Sequence, residues 1–238
     1  MHDGRRVAVI VPALDEEASI AGVARGFRAL EAVDLVVVVD NGSRDRTAER
    51  ARAAGAVVLT ESRTGYGAAL RAGIVHALDL GAGILVLAEA DGTFDPVDLG
   101  SLLAALAGED RGGHDLVLGS RTASMGGALR HGNRAVAWLL AALWPRSSCR
   151  LTDVGCTYRA MTIEAWNRVH AAARADGPEF SPQMICAAFA QRLAVCEVPV
   201  RYGPRASGTS KHTGSSWAAA RTALRMLRAI LVQRILAR

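Results

Sequence analysis

Aromatic residues make up only 5% of the 238-residue chain, which leaves no stacking platform of the kind that grips nucleic acid bases. The longest apolar run, residues 135–145, falls far short of the roughly 20 residues that a membrane-spanning helix needs. The four cysteines, Cys149, Cys156, Cys186 and Cys196, include no C-x-x-C pair and no histidine at metal-ligand spacing. Neither a disulfide framework nor a zinc site is expected, and reduced thiols fit a cytoplasmic protein. A secretory leader is not expected either, because the charged start is followed by only a short apolar run, Val7 to Val11, before Pro12. Acidic residues are missing from one region altogether. From Val198 to Arg238 there are seven Arg, one Lys and no Asp or Glu, so the net charge of +5 leaves −3 on the first 197 residues.

What is present is a chain that is half hydrophobic, long enough for one substantial core and too short for two ordinary enzymatic domains. Short β-branched runs at 7–11, 35–39, 56–59, 84–88 and 116–118 alternate with longer amphipathic stretches. That alternation predicts an α/β fold with a mostly parallel central sheet flanked by helices on both faces. Several of the runs are apolar throughout, as strands covered on both sides should be. In such sheets ligands collect beyond the carboxyl ends of the strands. Three acidic clusters stand at those ends: Pro12 to Glu17, Asp40 to Asp45 and Glu89 to Asp95.

Carboxylates two positions apart at a strand end can turn towards one hard cation, and Glu89 and Asp91 have that spacing. A carboxylate such as Asp40 can accept from a base edge and from a sugar hydroxyl, while Gly42 permits a tight turn into the next helix. The competing interpretation is local: Ser43 or Asp45 caps a helix, and Asp91-Gly92 is only a turn. The order of the clusters is more specific than any one of them. Val11-Pro12-Ala13-Leu14-Asp15-Glu16-Glu17, Val39-Asp40-Asn41-Gly42-Ser43-Arg44-Asp45-Arg46-Thr47, Gly65-Tyr66-Gly67-Ala68-Ala69-Leu70-Arg71-Ala72-Gly73 and Glu89-Ala90-Asp91-Gly92-Thr93-Phe94-Asp95-Pro96 together resemble the nucleotide-sugar half of family 2 glycosyltransferases. The resemblance implies a GT-A-type fold. It also implies donor contacts from Pro12, Ala13, Asp15, Glu16, Asp40, Gly42, Gly67, Ala90 and Asp91, and a Mg2+ or Mn2+ held by Asp91 with Glu89. Asn41 and Glu89 stand where the family more often has Asp.

The second half is similar to polyprenyl-phosphate sugar synthases in Gly119-Ser120-Arg121, Arg130-His131-Gly132-Asn133, Thr152 to Arg159, and Glu197 to Lys211. By that likeness Arg121, Arg205 and Lys211 join Asp91 in catalysis, and Arg130, Asn133, Asp153, Arg159 and Ser210 face the acceptor. Arginines and a lysine there make physical sense, since two anionic groups have to be brought together. The expected reaction is inverting transfer from a GDP- or UDP-sugar to a polyprenyl phosphate, which is already an anion and needs no general base. A hydroxyl acceptor would need one, and Asp153 and Glu179 are the candidates. A second alternative is a non-catalytic nucleotide-sugar binding module, motivated by Asn41 and Glu89.

The chain is expected to divide into a transferase domain over 1–212 and a basic amphipathic helix over 213–238. In that helix Leu224, Leu227, Leu231 and Ile235 form one stripe and Arg221, Arg225 and Arg228 another. Such a helix can lie on an anionic membrane surface, giving peripheral attachment to the inner face of the cell membrane, or pack on the domain. The basic charge is not read as a nucleic-acid surface.

Overall fold

The computed structural model describes residues 1–108, 112–124, 126–145, 147, 149–205 and 216–236. The expected alternation is present in the first half: strands β1 (Val7–Ala13), β2 (Leu35–Asp40), β3 (Val57–Thr60) and β4 (Ile84–Leu87) are separated by helices α1 (Ile20–Arg28), α2 (Thr47–Ala53) and α3 (Tyr66–Asp79). A single 3-10 turn, Pro96–Asp98, then leads into α4 (Leu99–Ala107), β5 (Leu116–Ser120), α5 (Gly127–Leu143), β6 (Arg159–Thr162), α6 (Ile163–Val169), α7 (Phe180–Ala190), β7 (Val195–Pro199) and α8 (Ser216–Leu236).

One seven-stranded sheet in the order β3-β2-β1-β4-β6-β5-β7 carries the molecule. All pairings are parallel except those of β6, which runs antiparallel to both β4 and β5. The apolar runs explain the layers, because successive side chains leave opposite faces of a strand. Ala8, Ile10, Val37, Val39, Leu85 and Leu87 pack with α3 and α5 to α7, together with Ile230 of α8. Val7, Val9, Val11, Val36, Val38, Ile84 and Val86 pack on the other face with α1, α2 and α4. Gly73 fits α3 to the sheet: a Cβ there would lie 2.6 Å from both Ile10 and Val39.

The C-terminal helix is present and docks on the domain through α7 and α5. From residue 221 onwards its buried positions are Ala229, Ile230 and Gln233, and Gln233 donates to the Ala172 carbonyl at 2.7 Å. Arg225 pairs with Glu179, and the Arg234 guanidinium lies 5.9 Å from the Trp144 ring centre. Of the expected stripe, Leu224, Leu231 and Ile235 point outwards, with Leu224 and Ile235 about 70% exposed, and Leu227 is half-buried. No described helix is long and apolar enough to cross a membrane.

Candidate active site

Parallel pairing places Ala13 opposite Asp40 and Ile10 opposite Leu87, so the loops after β1, β2 and β4 leave the sheet side by side. The first two loops are cross-braced by hydrogen bonds. The backbone N–H groups of Asp15, Glu16 and Glu17 donate to Ser43 Oγ (3.0 Å), Thr47 Oγ1 (2.8 Å) and Asp45 Oδ2 (3.1 Å). In return, the N–H groups of Arg44 and Arg46 donate to Asp15 Oδ1 (2.8 Å) and Glu17 Oε2 (3.2 Å). Ser43 therefore serves the neighbouring loop instead of capping its own helix, and Asp15 stands at a positive φ of 50° to make this brace. Asp40, 8% exposed at the end of β2, accepts from the Ser43 N–H at 3.1 Å, which closes the turn at Gly42, where φ is 88°.

Asn41 has a function that its ionised relative could not perform. Its amide donates to the carbonyls of Glu61 (2.9 Å) and Arg63 (2.8 Å), and its Oδ1 accepts from the Gly65 N–H (2.8 Å). Only a side chain with both donors and an acceptor can staple this loop. The glycine pattern beyond it serves packing. A Cβ on Gly67 would sit 2.1 Å from the Ala175 carbonyl and 2.7 Å from Phe180, and the Gly67 N–H donates to the Asp176 carbonyl at 2.7 Å. Gly67, expected to contact the donor, instead seats the start of α3 against residues 175–180.

Beyond β4 the backbone turns at Gly92 with φ 76°, and Asp91 before it is buried. Asp91 Oδ1 accepts from Thr93 N–H (3.0 Å) and Thr93 Oγ1 (2.7 Å), which fixes the carboxylate plane. Its Oδ2 is buried and accepts no hydrogen bond. The Arg205 guanidinium compensates its charge, 2.9 Å from Asp91 Oδ2 and 3.6 Å from Glu16 Oε1. Glu89 accepts from Thr157 Oγ1 at 2.7 Å. Burial, and then the nearby Asp91 carboxylate, push the Glu89 carboxyl above its ordinary range, against the opposing pull of Thr157, Arg121 and Arg205. Among the described residues no group of three or more His, Cys, Asp or Glu side chains could hold a metal ion. An orphaned carboxylate oxygen beside a second carboxylate nevertheless fits a hard cation whose other positions are filled by a diphosphate and water.

Arg205 arrives on a strap formed by residues 201–205. Arg201 grips Asp95 (3.0 Å) and Asp98 (2.9 Å), the Gly203 N–H donates to the Thr93 carbonyl (2.8 Å), and Tyr202 bridges to Phe94. Ser210 and Lys211, expected on the same segment, lie outside the described residues.

Several other expected residues serve the interior. Asp153, whose side chain is fully buried, forms two hydrogen bonds with the Arg121 guanidinium (2.8 and 2.9 Å) and accepts from the Arg121 N–H (3.0 Å). Burial lowers the pKa of Arg121, but the Asp153 pairing outweighs it and holds the cation above its ordinary value. Asp153 is therefore not placed as a general base, and Arg121 braces the site instead of projecting freely into it. Glu197 orients the pair from behind, accepting from Asp153 N–H (2.8 Å), Thr152 N–H (2.8 Å) and Thr152 Oγ1 (2.7 Å). Arg159, expected to face the acceptor, is 1% exposed and donates to the carbonyls of Cys156, Ser181 and Val154. Asn133 accepts from the Gly155 N–H at 3.2 Å. Glu179, the other candidate base, is held by Arg225 of α8 through Oε1, while its Oε2 is buried and accepts no hydrogen bond. Glu197 was legible only as part of a motif, and nothing in the sequence marked Thr157 or Tyr202 as neighbours of Glu89 and Arg121.

Next to this interior pair is a groove of about 530 Å³. Its polar lining includes Thr122, Thr152, Arg130, Arg134 and Arg150, and its apolar lining includes Ala137, Ala141, Leu151 and Trp138. Trp138 is 77% exposed.

Residues 8–148 match the model of the family described as glycosyl transferase family 2. An uncharacterized glycosyltransferase of Mycobacterium tuberculosis is 35% identical over 216 residues, covering 89% of this chain and 92% of the relative. Glycosyltransferase AglJ of Haloferax volcanii is 31% identical over 204 residues, covering 85% of this chain and 65% of that protein. Among solved structures, glucosyl-3-phosphoglycerate synthase from Mycobacterium tuberculosis, in complex with Mn2+, UDP-glucose and phosphoglyceric acid, superposes with a TM-score of 0.75 at 25% identity over 97% of this chain and 80% of that one. The chain belongs to glycosyl transferase family 2.

Proposed function

We propose that this family 2 glycosyltransferase moves a sugar, with inversion, from a GDP- or UDP-sugar to a phosphate-bearing acceptor, and that the acceptor is a polyprenyl phosphate. The donor side follows from the shared rim of Asp40, Glu16, Glu89 and Asp91. Asp40 would receive the base or ribose. Asp91 and Glu89 would hold Mg2+ or Mn2+, an assignment supported by the Mn2+ and UDP-glucose bound in the structurally similar synthase. A divalent cation there supplies charge neutralisation to the departing diphosphate. Arg205, attached to the Asp91 loop through its strap, lies within reach of the same anion and can stabilise it in the transition state.

The acceptor reading rests on the groove beside Thr122 and Thr152. Three exposed arginines along an apolar lining match an amphiphile with an anionic head, and at short range each cation offsets about 4 kcal/mol of repulsion between phosphates. Asp153 has both oxygens committed to Arg121, which removes it as a base for a hydroxyl acceptor, whereas Glu179 is tied to Arg225 through one oxygen only. The outward stripe of α8 supports peripheral contact with an anionic membrane, where such a lipid would be found.

A second reading, a small soluble phosphate acceptor, is favoured by the phosphoglyceric acid bound in the solved synthase. The two are separated by incubating the full chain with radiolabelled UDP- or GDP-sugars, Mn2+ and either undecaprenyl phosphate in detergent or 3-phosphoglyceric acid. Label in the organic phase is the expected result. Label only in the aqueous product with phosphoglycerate overturns the lipid reading, and absence of metal-dependent transfer to either acceptor overturns both.

A further inference from the structure

We propose that Arg205 is a resident placeholder for the divalent cation: in the ligand-free protein its guanidinium neutralises Asp91 and Glu16, and metal enters by displacing it. The inference rests on the reading of Asp91 as the metal-holding carboxylate. Asp91 is 2% exposed and its Oδ2 accepts no hydrogen bond, so an unpaired negative charge there would be strongly unfavourable. Arg205 is the cation that the fold supplies, at 2.9 Å from Oδ2, with its other terminal nitrogen 3.6 Å from Glu16. Its contact with Asp91 is one of charge alone, without an aligned hydrogen bond. A cation that displaces it therefore has to replace charge compensation but no directional hydrogen bond.

The tether makes the exchange local. Arg201 is anchored on Asp95 and Asp98, and Gly203 on Thr93, all within the loop that carries Asp91. Only the Arg205 side chain has to move. A guanidinium does not deprotonate at any ordinary pH, so it leaves only when another cation takes the carboxylates and another anion receives it. A donor diphosphate offers that anion in the two-pronged form that arginine prefers. Metal alone must expel Arg205 with nothing to accept it, whereas metal with the diphosphate relocates it. Metal and nucleotide therefore bind cooperatively, and Arg205 sets the coupling.

The test is a Mn2+ titration of the full chain, with the free ion read by electron paramagnetic resonance, in the absence of nucleotide and again with UDP or GDP. Arg205→Gln is expected to bind Mn2+ about tenfold more tightly than wild type without nucleotide, and to show a smaller tightening by nucleotide than the roughly tenfold of wild type, the remainder coming from the cation's own contact with the diphosphate. Arg205→Lys, which keeps the charge but cannot span both carboxylates, should tighten Mn2+ binding by a smaller factor and guards against a folding defect in the glutamine variant. Equal or weaker Mn2+ binding in both variants overturns the placeholder. Failure of every protein to bind Mn2+, with either nucleotide present, overturns the metal reading of Asp91 and the placeholder with it.

Discussion

The two halves of the molecule use their carboxylates in opposite ways. On the β1–β4 half, backbone N–H groups and hydroxyls hold Asp15, Asp40 and Asp91 at the rim, and one Asp91 oxygen accepts no hydrogen bond and is met only by the Arg205 guanidinium as an ion pair. On the β5–β7 half, Asp153 and Glu197 are used up in fixing Arg121 and the loop around it. The first arrangement is prepared for a ligand that is not part of the protein. The second is complete without one. A carboxylate's environment, more than its presence in a motif, separates chemistry from scaffolding.

Substitutions on the two sides should therefore have crossed effects. Asp91→Asn is expected to lower metal-dependent transfer at least a thousandfold, about 4 kcal/mol of transition-state stabilisation, while leaving the melting temperature in chelator unchanged or raised. Asp153→Ala should act the other way, leaving a largely enclosed arginine without its carboxylate at a cost of about 3 kcal/mol, read as a melting temperature lowered by roughly 10 °C. If Asp153→Ala melts like wild type while transfer is abolished, the contrast between the halves is wrong.

A smaller effect tests the staple at the rim. Asn41→Asp replaces two donors with a carboxylate facing the carbonyls of Glu61 and Arg63. Leaving those groups unsatisfied should cost ~2 kcal/mol, visible as a loss of several degrees in melting temperature. No change would mean that the loop does not depend on this amide.

The smallest effect concerns pH. Burial and Asp91 hold the Glu89 carboxyl above its ordinary value, so folding favours its protonated form. Well below the unfolded value, about 4.5, the group is protonated in both states and imposes no penalty. As pH rises from there through the folded value, ionisation opposes folding. In chelator, Glu89→Gln should thus match wild type at low pH and melt progressively higher than it as pH rises towards 7. A constant difference across that range would show that the carboxyl is not perturbed.

How much could be read from the sequence follows the same division. Strands β1 to β5 were visible because each is a short apolar run, and their carboxyl ends gave the positions of the acidic loops. Strand β6 was not, since its four residues, Arg159 to Thr162, carry a buried arginine and no apolar run to mark it. The sequence showed Asp40 and Asp91 because turns and strand ends are local. It could not show that Gly67 packs on residues 175–180, that Arg159 bonds to three carbonyls, or that Asp153 pairs with Arg121, because those contacts join segments far apart in the chain. Asn41 looked like a departure from a family pattern until the loop around it supplied its three partners. On α8, the spacing gave a helix with an apolar stripe, but the face that docks is the one bearing Ala229, Ile230 and Gln233.

The central claim is that Asp91, with Glu89 beside it, holds the divalent cation that meets the donor diphosphate. It is tested most directly by calorimetric titration of UDP and GDP into wild type and Asp91→Asn, with and without Mn2+. Wild type should bind one nucleotide at least tenfold more tightly when Mn2+ is present, and Asp91→Asn should bind it equally with and without the metal. An undiminished Mn2+ effect in Asp91→Asn would contradict the account.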